Sequence, residues 1–242
     1  LNIAQTAASA QETDGANLKY RICYAKNREL IFISHLDLQK VFQRAFRRAK
    51  VDLAFSQGFH PHPKMTYSPP LPLFASSDEE YLDVELNTVL SADEIKNRLC
   101  ATLPDGLLVK DVKELTDAAP GLSSILYAAE YEIVLQAKDG EDNRLCETIQ
   151  TYFTQSNEIM LRKKNKKNKI VQKDLKPGIY AFSCNQVDDT AVIDCTLSIE
   201  NDTLVNPFSL LQAFRENIPQ LEDINPISVR KLCVIKSEEQ KT

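Results

Sequence analysis

Residues 18–50 read LKYRICYAKNRELIFISHLDLQKVFQRAFRRAK, and the fold follows from this stretch. Tyr20, Ile22 and Tyr24 alternate with Arg21 and Cys23, the period-two pattern of a half-buried strand. Glu29–Ile33 either extends that strand or leads into the next element. Ser34 then offers an N-cap hydroxyl, with Asp37 three residues on as its capping-box partner. Behind it Leu38, Val41, Phe42, Ala45, Phe46 and Ala49 recur at helical spacing, while Lys40, Arg44, Arg47 and Arg48 lie off that stripe. A strand followed by an amphipathic helix with a basic outer face opens a β-α unit.

The same pattern continues outward. Residues 55–74, FSQGFHPHPKMTYSPPLPLF, hold five of the eleven prolines and two of the three histidines. Proline fixes φ and donates no backbone hydrogen bond, so this stretch is neither a regular helix nor a central strand throughout. A strand near Leu53–Ser56, a long ordered loop and extended chain through Tyr67 are expected. Leu82, Val84 and Leu86 alternate with charged residues. Ser91 and Glu94 form a second capping box ahead of Ile95, Leu99 and Leu103, and Leu107–Leu115 reads as a strand. Pro120–Gly121 marks a boundary. Beyond it come a strand at Ala129–Ala137 and a helix at Asp142–Thr154. Extended segments follow at Glu158–Arg162, Gly178–Gln186 and Ala191–Ile199. A helix capped by Asn206 with Pro207 at its first position leads to a last strand at Ile227–Ile235. The expectation is an α+β chain of two tandem ferredoxin-like units, each β-α-β-β-α-β on an antiparallel sheet. They span residues 18–117 and 128–236, with residues 1–17 a disordered tail or linker.

Composition narrows the function. The 242 residues are 43% hydrophobic and 26% charged, with a net charge of −5. No apolar run approaches the roughly 20 residues that cross a bilayer as a helix, so no membrane partner is expected. No signal peptide is visible in the polar first seventeen residues. The six cysteines are scattered, the nearest two eleven residues apart. That argues against a zinc ribbon and against the cysteine cradle of a radical iron–sulfur enzyme, and reads as reduced thiols of a cytoplasmic protein. Glycine motifs for dinucleotides or nucleotide phosphates and a serine elbow are missing, which argues against hydride transfer and nucleotide hydrolysis. The charge is segregated: residues 18–70 carry a net +7 and residues 151–178 a net +6, within an otherwise acidic chain.

The stretches RELIFISHLDL (28–38), RAFRRA (44–49), FSQGFHPHPK (55–64), SPPLP (68–72) and EYLDVEL (80–86) together resemble the radical SAM-linked family DUF2344. The resemblance is dense over residues 19–115 and looser to about 235. Members of that family stand beside, or are fused to the C-terminus of, a cobalamin-binding radical SAM protein. The resemblance therefore implies a radical SAM protein or domain as partner, in cis or in trans. It also implies that the iron–sulfur cluster, S-adenosylmethionine and cobalamin belong to that partner, with no cofactor in this chain. The start without Met and the linker-like first residues are what the fused arrangement would give.

Three groups of residues could carry function. His60 and His62 flank Pro61 in extended chain, and with His35 at a helix start they could ligate a metal; His35 or His62 could also serve as a general base. The plainer alternative is that His35 packs at the helix start and the loop histidines bond to backbone. The 55–74 loop is a recognition candidate. Gly58 allows close approach, Phe55, Phe59 and Tyr67 offer stacking faces, and Ser56, His60, His62, Lys64 and Ser68 offer polar contacts. The third group is basic: Lys40, Arg44, Arg47 and Arg48 on the helix, and Arg162, Lys163, Lys164, Lys166, Lys167 and Lys169 in an expected hairpin tip. Such clusters suit nucleic-acid phosphates, although a solvated surface is the alternative for both. The leading expectation is a non-catalytic accessory domain that binds structured RNA, such as tRNA or rRNA, for the radical SAM partner. A metal-independent endoribonuclease and a protein-docking module are the alternatives.

Overall fold

A computed structural model describes residues 18–136, 145–164 and 168–237. The fold is mixed α+β on a mostly antiparallel sheet. In the first half, β1 (Leu18–Lys26) leads through a 3-10 turn (Arg28–Phe32) to α1 (His35–Arg48). The short β2 (Met65–Tyr67), β3 (Ser76–Leu86), α2 (Ala92–Cys100) and β4 (Leu107–Leu115) complete it. Both N-caps form: the Asp37 N–H donates to Ser34 Oγ at 3.2 Å, and the Glu94 N–H to Ser91 Oγ at 3.2 Å, while the Asp37 carboxylate accepts from the Ser34 hydroxyl and Lys40, and that of Glu94 from Arg98. The short α3 (Leu122–Ile125) joins the halves.

The second half runs β5 (Leu126–Gln136), α4 (Leu145–Gln155), β6 (Met160–Lys164), β7 (Ile170–Asp174), β8 (Ile179–Val187), β9 (Thr190–Ser198), α5 (Pro207–Asn217) and β10 (Pro226–Lys236). Asn206 caps α5, its Oδ1 accepting from the Phe208 N–H at 2.9 Å. The expected helix start at residues 142–144 and the expected tail at 1–17 lie outside the described residues.

Each half orders its strands alike: β4-β1-β3-β2 in the first and β10-β5-β9-β8 in the second, with every neighbouring pair antiparallel. Two features differ from the sequence expectation. First, the two sheets are one, because β10 pairs in parallel with β3 through Arg230↔Ser76 and Lys231↔Ser77. The edge of β3 is shared: Val84–Leu82 pair with β2, and the lower end is open to β10. Pro69, Pro70 and Pro72 explain the handover, since a segment without N–H donors cannot continue the ladder beyond Ser68. Second, β6 and β7 leave the main sheet and, among the described residues, pair only with each other, from Met160↔Asp174 to Lys164↔Ile170. The hairpin is rooted by Ile159, Leu161 and Leu175, which are buried in the second core with Phe214 of α5.

The core divides likewise. Tyr20, Ile22, Leu82, Val84 and Leu86 pack under Phe42 and Phe46 of α1. Ile133, Ile193 and Leu197 pack under Ile149 of α4 and Leu210 and Phe214 of α5. Burial of each such side chain contributes roughly 1.5–3 kcal/mol.

Candidate functional site

The seam between the halves is polar where a core would be apolar. Along β3, the inward alternation of Leu86, Val84 and Leu82 continues to Glu80. Along β1, Tyr20, Ile22 and Tyr24 lead to Lys26, and along β10 Val229 leads to Lys231. Lys26, Glu80 and Lys231 are all buried. Lys231 Nζ pairs with Glu80 Oε1. Glu80 Oε2 accepts from Ser68 Oγ at 2.8 Å, and Ser68 Oγ accepts in turn from the Tyr81 N–H at 3.2 Å. Lys26 donates to the Ile33 carbonyl at 3.4 Å. Burial lowers its pKa, and the Glu80 charge works against that shift.

Above this cluster lies a cleft of about 500 Å³ built by both halves. His35 and Gln39 come from α1, Tyr67 and Ser68 from the end of β2, and Asn201 and Asn206 from the approach to α5. One cleft thus sees the starts of α1 and α5, which places both helices on the same face of the sheet. The His35 ring stands edge-on to Tyr67 at 5.2 Å between centroids, and Gln39 Nε2 lies 3.0 Å from His35 Nε2. Burial lowers the His35 pKa, Glu80 opposes the shift and Lys26 adds to it. The Tyr67 hydroxyl is buried without a hydrogen-bond partner among the described residues, and burial raises its pKa.

A second concavity of about 660 Å³ follows the other flank of α1. Lys40, Arg44 and Arg47 form one wall, and Phe55 and His62 the facing one. The facing wall is a narrow hairpin rather than an open loop. Phe55 bridges Pro63, the Ser56 N–H donates to the His62 carbonyl at 2.8 Å, and the His62 N–H donates to Ser56 Oγ at 3.0 Å. Its tip carries Gly58 at φ 132°, a backbone conformation that suits glycine, then the wholly exposed Phe59 and exposed His60. Lys40 pairs with Asp37 at 3.1 Å. Arg44 and Arg47 are exposed and have no ion pair among the described residues.

The structure therefore sorts the residues singled out from sequence. His35, Tyr67 and Ser68 meet at the seam, and Lys40, Arg44, Arg47, Phe55 and His62 meet in the groove. Ser56 builds the hairpin, and Gly58, Phe59 and His60 form its tip. Arg48 instead donates to the Thr102 carbonyl, tying α1 to the end of α2, and Lys64 pairs with Glu85 at 2.5 Å. The three histidines do not converge: His35 faces the seam cleft and His62 the groove, on opposite flanks of α1. Among the described residues no three His, Cys, Asp or Glu side chains gather as metal ligands.

The β6–β7 hairpin displays Arg162 and Lys163 at its surface, with Lys163 Nζ 3.1 Å from Ser209 Oγ of α5. Lys164 ends β6 and Lys169 immediately precedes β7; Lys166 and Lys167 lie outside the described residues. Sequence reasoning missed Lys26, Gln39, Glu80, Tyr131, Asn201 and Lys231. The signal for three of them was available, since Lys26, Glu80 and Lys231 occupy the core-facing parity of their strands.

No curated protein matches the chain. Solved structures that match include "an Unknown Protein from Galdieria sulphuraria", 10% identical over 92% of this chain and 99% of that one, with a TM-score of 0.26. Another is a candidate glycine cleavage system transcriptional repressor, 12% identical over 92% and 100%, with a TM-score of 0.24. The sequence pattern of one family, described as uncharacterized protein conserved in bacteria (DUF2344), matches residues 19–207. That span holds both walls of the groove, the whole lining of the cleft, and Lys26 and Glu80 beneath it, and the chain belongs to the DUF2344 family.

Proposed function

We propose that this chain is a non-catalytic, cytoplasmic RNA-binding module that presents a structured RNA to a radical SAM partner. The observation that carries the reading is the pair Arg44 and Arg47: exposed, without an ion pair among the described residues, and set across a groove from Phe55 and His62, while Asp52 in the same lining accepts from Asn87 Nδ2 at 3.0 Å. Such guanidinium groups beside an aromatic face suit phosphate and base together. The β6–β7 hairpin, which displays Arg162 and Lys163, meets α5 through Lys163 and Ser209, and α5 shares a face of the sheet with α1. The two β-α-β-β-α-β halves are read as tandem ferredoxin-like units, an architecture whose surfaces serve RNA recognition in other settings by fold analogy. On this reading the iron–sulfur cluster, S-adenosylmethionine and cobalamin reside on the partner.

The test is fluorescence anisotropy with tRNA and an rRNA fragment at low and near-physiological salt. Affinity should fall with salt. Arg44→Ser/Arg47→Ser should weaken it and reduce the salt slope by about 0.7 for each phosphate that is no longer neutralised. No binding at low salt overturns the RNA reading.

A second reading has its own support. Phe32, Leu36, Leu73 and Phe74 are large exposed apolar side chains, and the Phe32 and Phe74 rings meet at 6.0 Å. A protein-docking role would use that patch, and Phe32→Ser/Phe74→Ser should then release the partner while sparing RNA. An endoribonuclease reading would put His62 at the chemistry within the groove. RNA that stays intact on prolonged incubation with the wild-type chain removes it.

A further inference from the structure

We propose that the seam cleft is a nucleobase pocket, taking one unpaired base of the RNA whose phosphates lie along α1. The proposal rests on the RNA reading above and deepens it.

The lining of the cleft carries the first argument. Among the described residues it contains no Lys, Arg, Asp or Glu, in a chain that is 26% charged. A phosphate, a carboxylate or a metal ion would find no opposite charge on these walls. An uncharged polar ligand would find many partners. The carboxamides of Gln39, Asn201 and Asn206 carry both donors and acceptors, as the edge of a base does. Asn206 spends its Oδ1 on the α5 cap and keeps its amide N–H groups. Gln39 engages His35 through Nε2 and keeps its Oε1. The walls between these groups are apolar: Met65, Pro70, Leu204 and Val205 offer carbon surface to a flat ring. About 500 Å³ suits a small ligand held by apolar walls and a few polar groups. Burial lowers the His35 pKa; in the neutral ring Nε2 accepts from Gln39 Nε2, which leaves the Nδ1–H as a donor.

The second argument is position. Gln39 lines the cleft and Lys40 lines the basic groove, and they are consecutive on α1. From His35 to Arg47 the helix rises about 18 Å, so a short run of nucleotides can lie along it. A strand whose phosphates follow Lys40, Arg44 and Arg47 sends a base into the cleft on the other flank by crossing α1 between Lys40 and Gln39. Sequence-selective RNA recognition uses unstacked bases of this kind. Because β10 and β3 fuse the sheets, the two halves hold the walls of the cleft in fixed relation.

The experiment uses the full chain and five hexanucleotide probes: oligo(A), oligo(C), oligo(G), oligo(U), and a ribose-phosphate chain bearing no bases. At least one base-bearing probe should bind about tenfold tighter than the base-free chain. In Gln39→Ala/Asn201→Ala that gap should shrink to about twofold, and Asn201→Ala alone, on an exposed turn, should move it the same way. Arg44→Ser/Arg47→Ser should weaken all five probes alike. If the base-free chain binds as tightly as the others, or the gap survives both cleft variants, the pocket is overturned and the RNA reading stands. If no probe binds at low salt, the RNA reading fails. Saturation-transfer NMR with the four free nucleosides then decides the cleft alone: a signal that Asn201→Ala abolishes retains it, and silence from all four overturns it.

Discussion

Lys231 Nζ lies 2.5 Å from Glu80 Oε1, with 2% and 3% of the two side chains exposed, and this ion pair joins the last strand of the second half to the third strand of the first. Such a pair contributes little net stability, because both charges have left water. Removing one partner is a different matter. Lys231→Met leaves Glu80 buried without its ion-pair partner, held by Ser68 and the charge of Lys26, and is expected to lower stability by about 3–5 kcal/mol. Glu80→Met/Lys231→Met should recover most of that loss. Urea denaturation of the two variants measures the difference.

Acid should act on the seam through His35. Its pKa lies below the ordinary 6.5, first through burial, with Glu80 opposing and Lys26 reinforcing. The unfolded chain therefore takes up this proton at a higher pH than the folded one. The His35 contribution is fully present above the unfolded pKa and is lost as pH falls below it. Between about pH 7.5 and pH 5, the stability of His35→Asn should fall less steeply than that of the wild type. Urea midpoints along that range give the comparison.

Phe59 separates binding from folding. It is wholly exposed at the tip of the 55–63 hairpin. Phe59→Ser should change stability by less than about 0.5 kcal/mol. RNA affinity should fall about fivefold or more if a base stacks there, and Phe59→Tyr should retain it. Thermal unfolding and anisotropy on the same preparations read both.

Two glycines give opposite expectations. A Cβ on Gly178 would run into the Thr203 carbonyl and crowd Val205, where the chain enters β8 beside the cleft. Gly178→Ala should be clearly destabilising, because backbone has to move. A Cβ on Gly121 meets nothing within 4 Å, and its φ of −67° is open to any residue. Gly121→Ala should be neutral or stabilise by about 0.4–1 kcal/mol. Differential scanning calorimetry distinguishes the two.

Local chemistry made much of the fold legible. Ser34 with Asp37 and Asn206 with Pro207 place the starts of α1 and α5, and alternation places Leu107–Leu115 as β4. The basic face of α1 was legible too, because helical spacing puts Lys40, Arg44 and Arg47 off the apolar stripe, but the groove they form with Phe55 and His62 was not. The join between β3 and β10 was not. It pairs residues about 150 positions apart, and nothing local to Ser76 or Arg230 announces it. The cleft was hidden for a similar reason. Gln39, Tyr131 and Asn201 come from separate segments and are unremarkable in each, and Asn206 reads only as a helix cap. The histidines misled because a spacing of two in extended chain speaks only for His60 and His62. It says nothing of His35, which α1 carries to its other flank.

The placement of β10 sets an order on synthesis. Residues 18–115 contain every strand and helix of the first half, so that half can close as soon as it leaves the ribosome. The second half lacks a central partner for β5 until residues 226–236 emerge. Over that interval β5 and the lower end of β3 both present unsatisfied backbone to any passing strand. β10, the closing strand of the second half, covers both of these edges at once, so its arrival ends that interval.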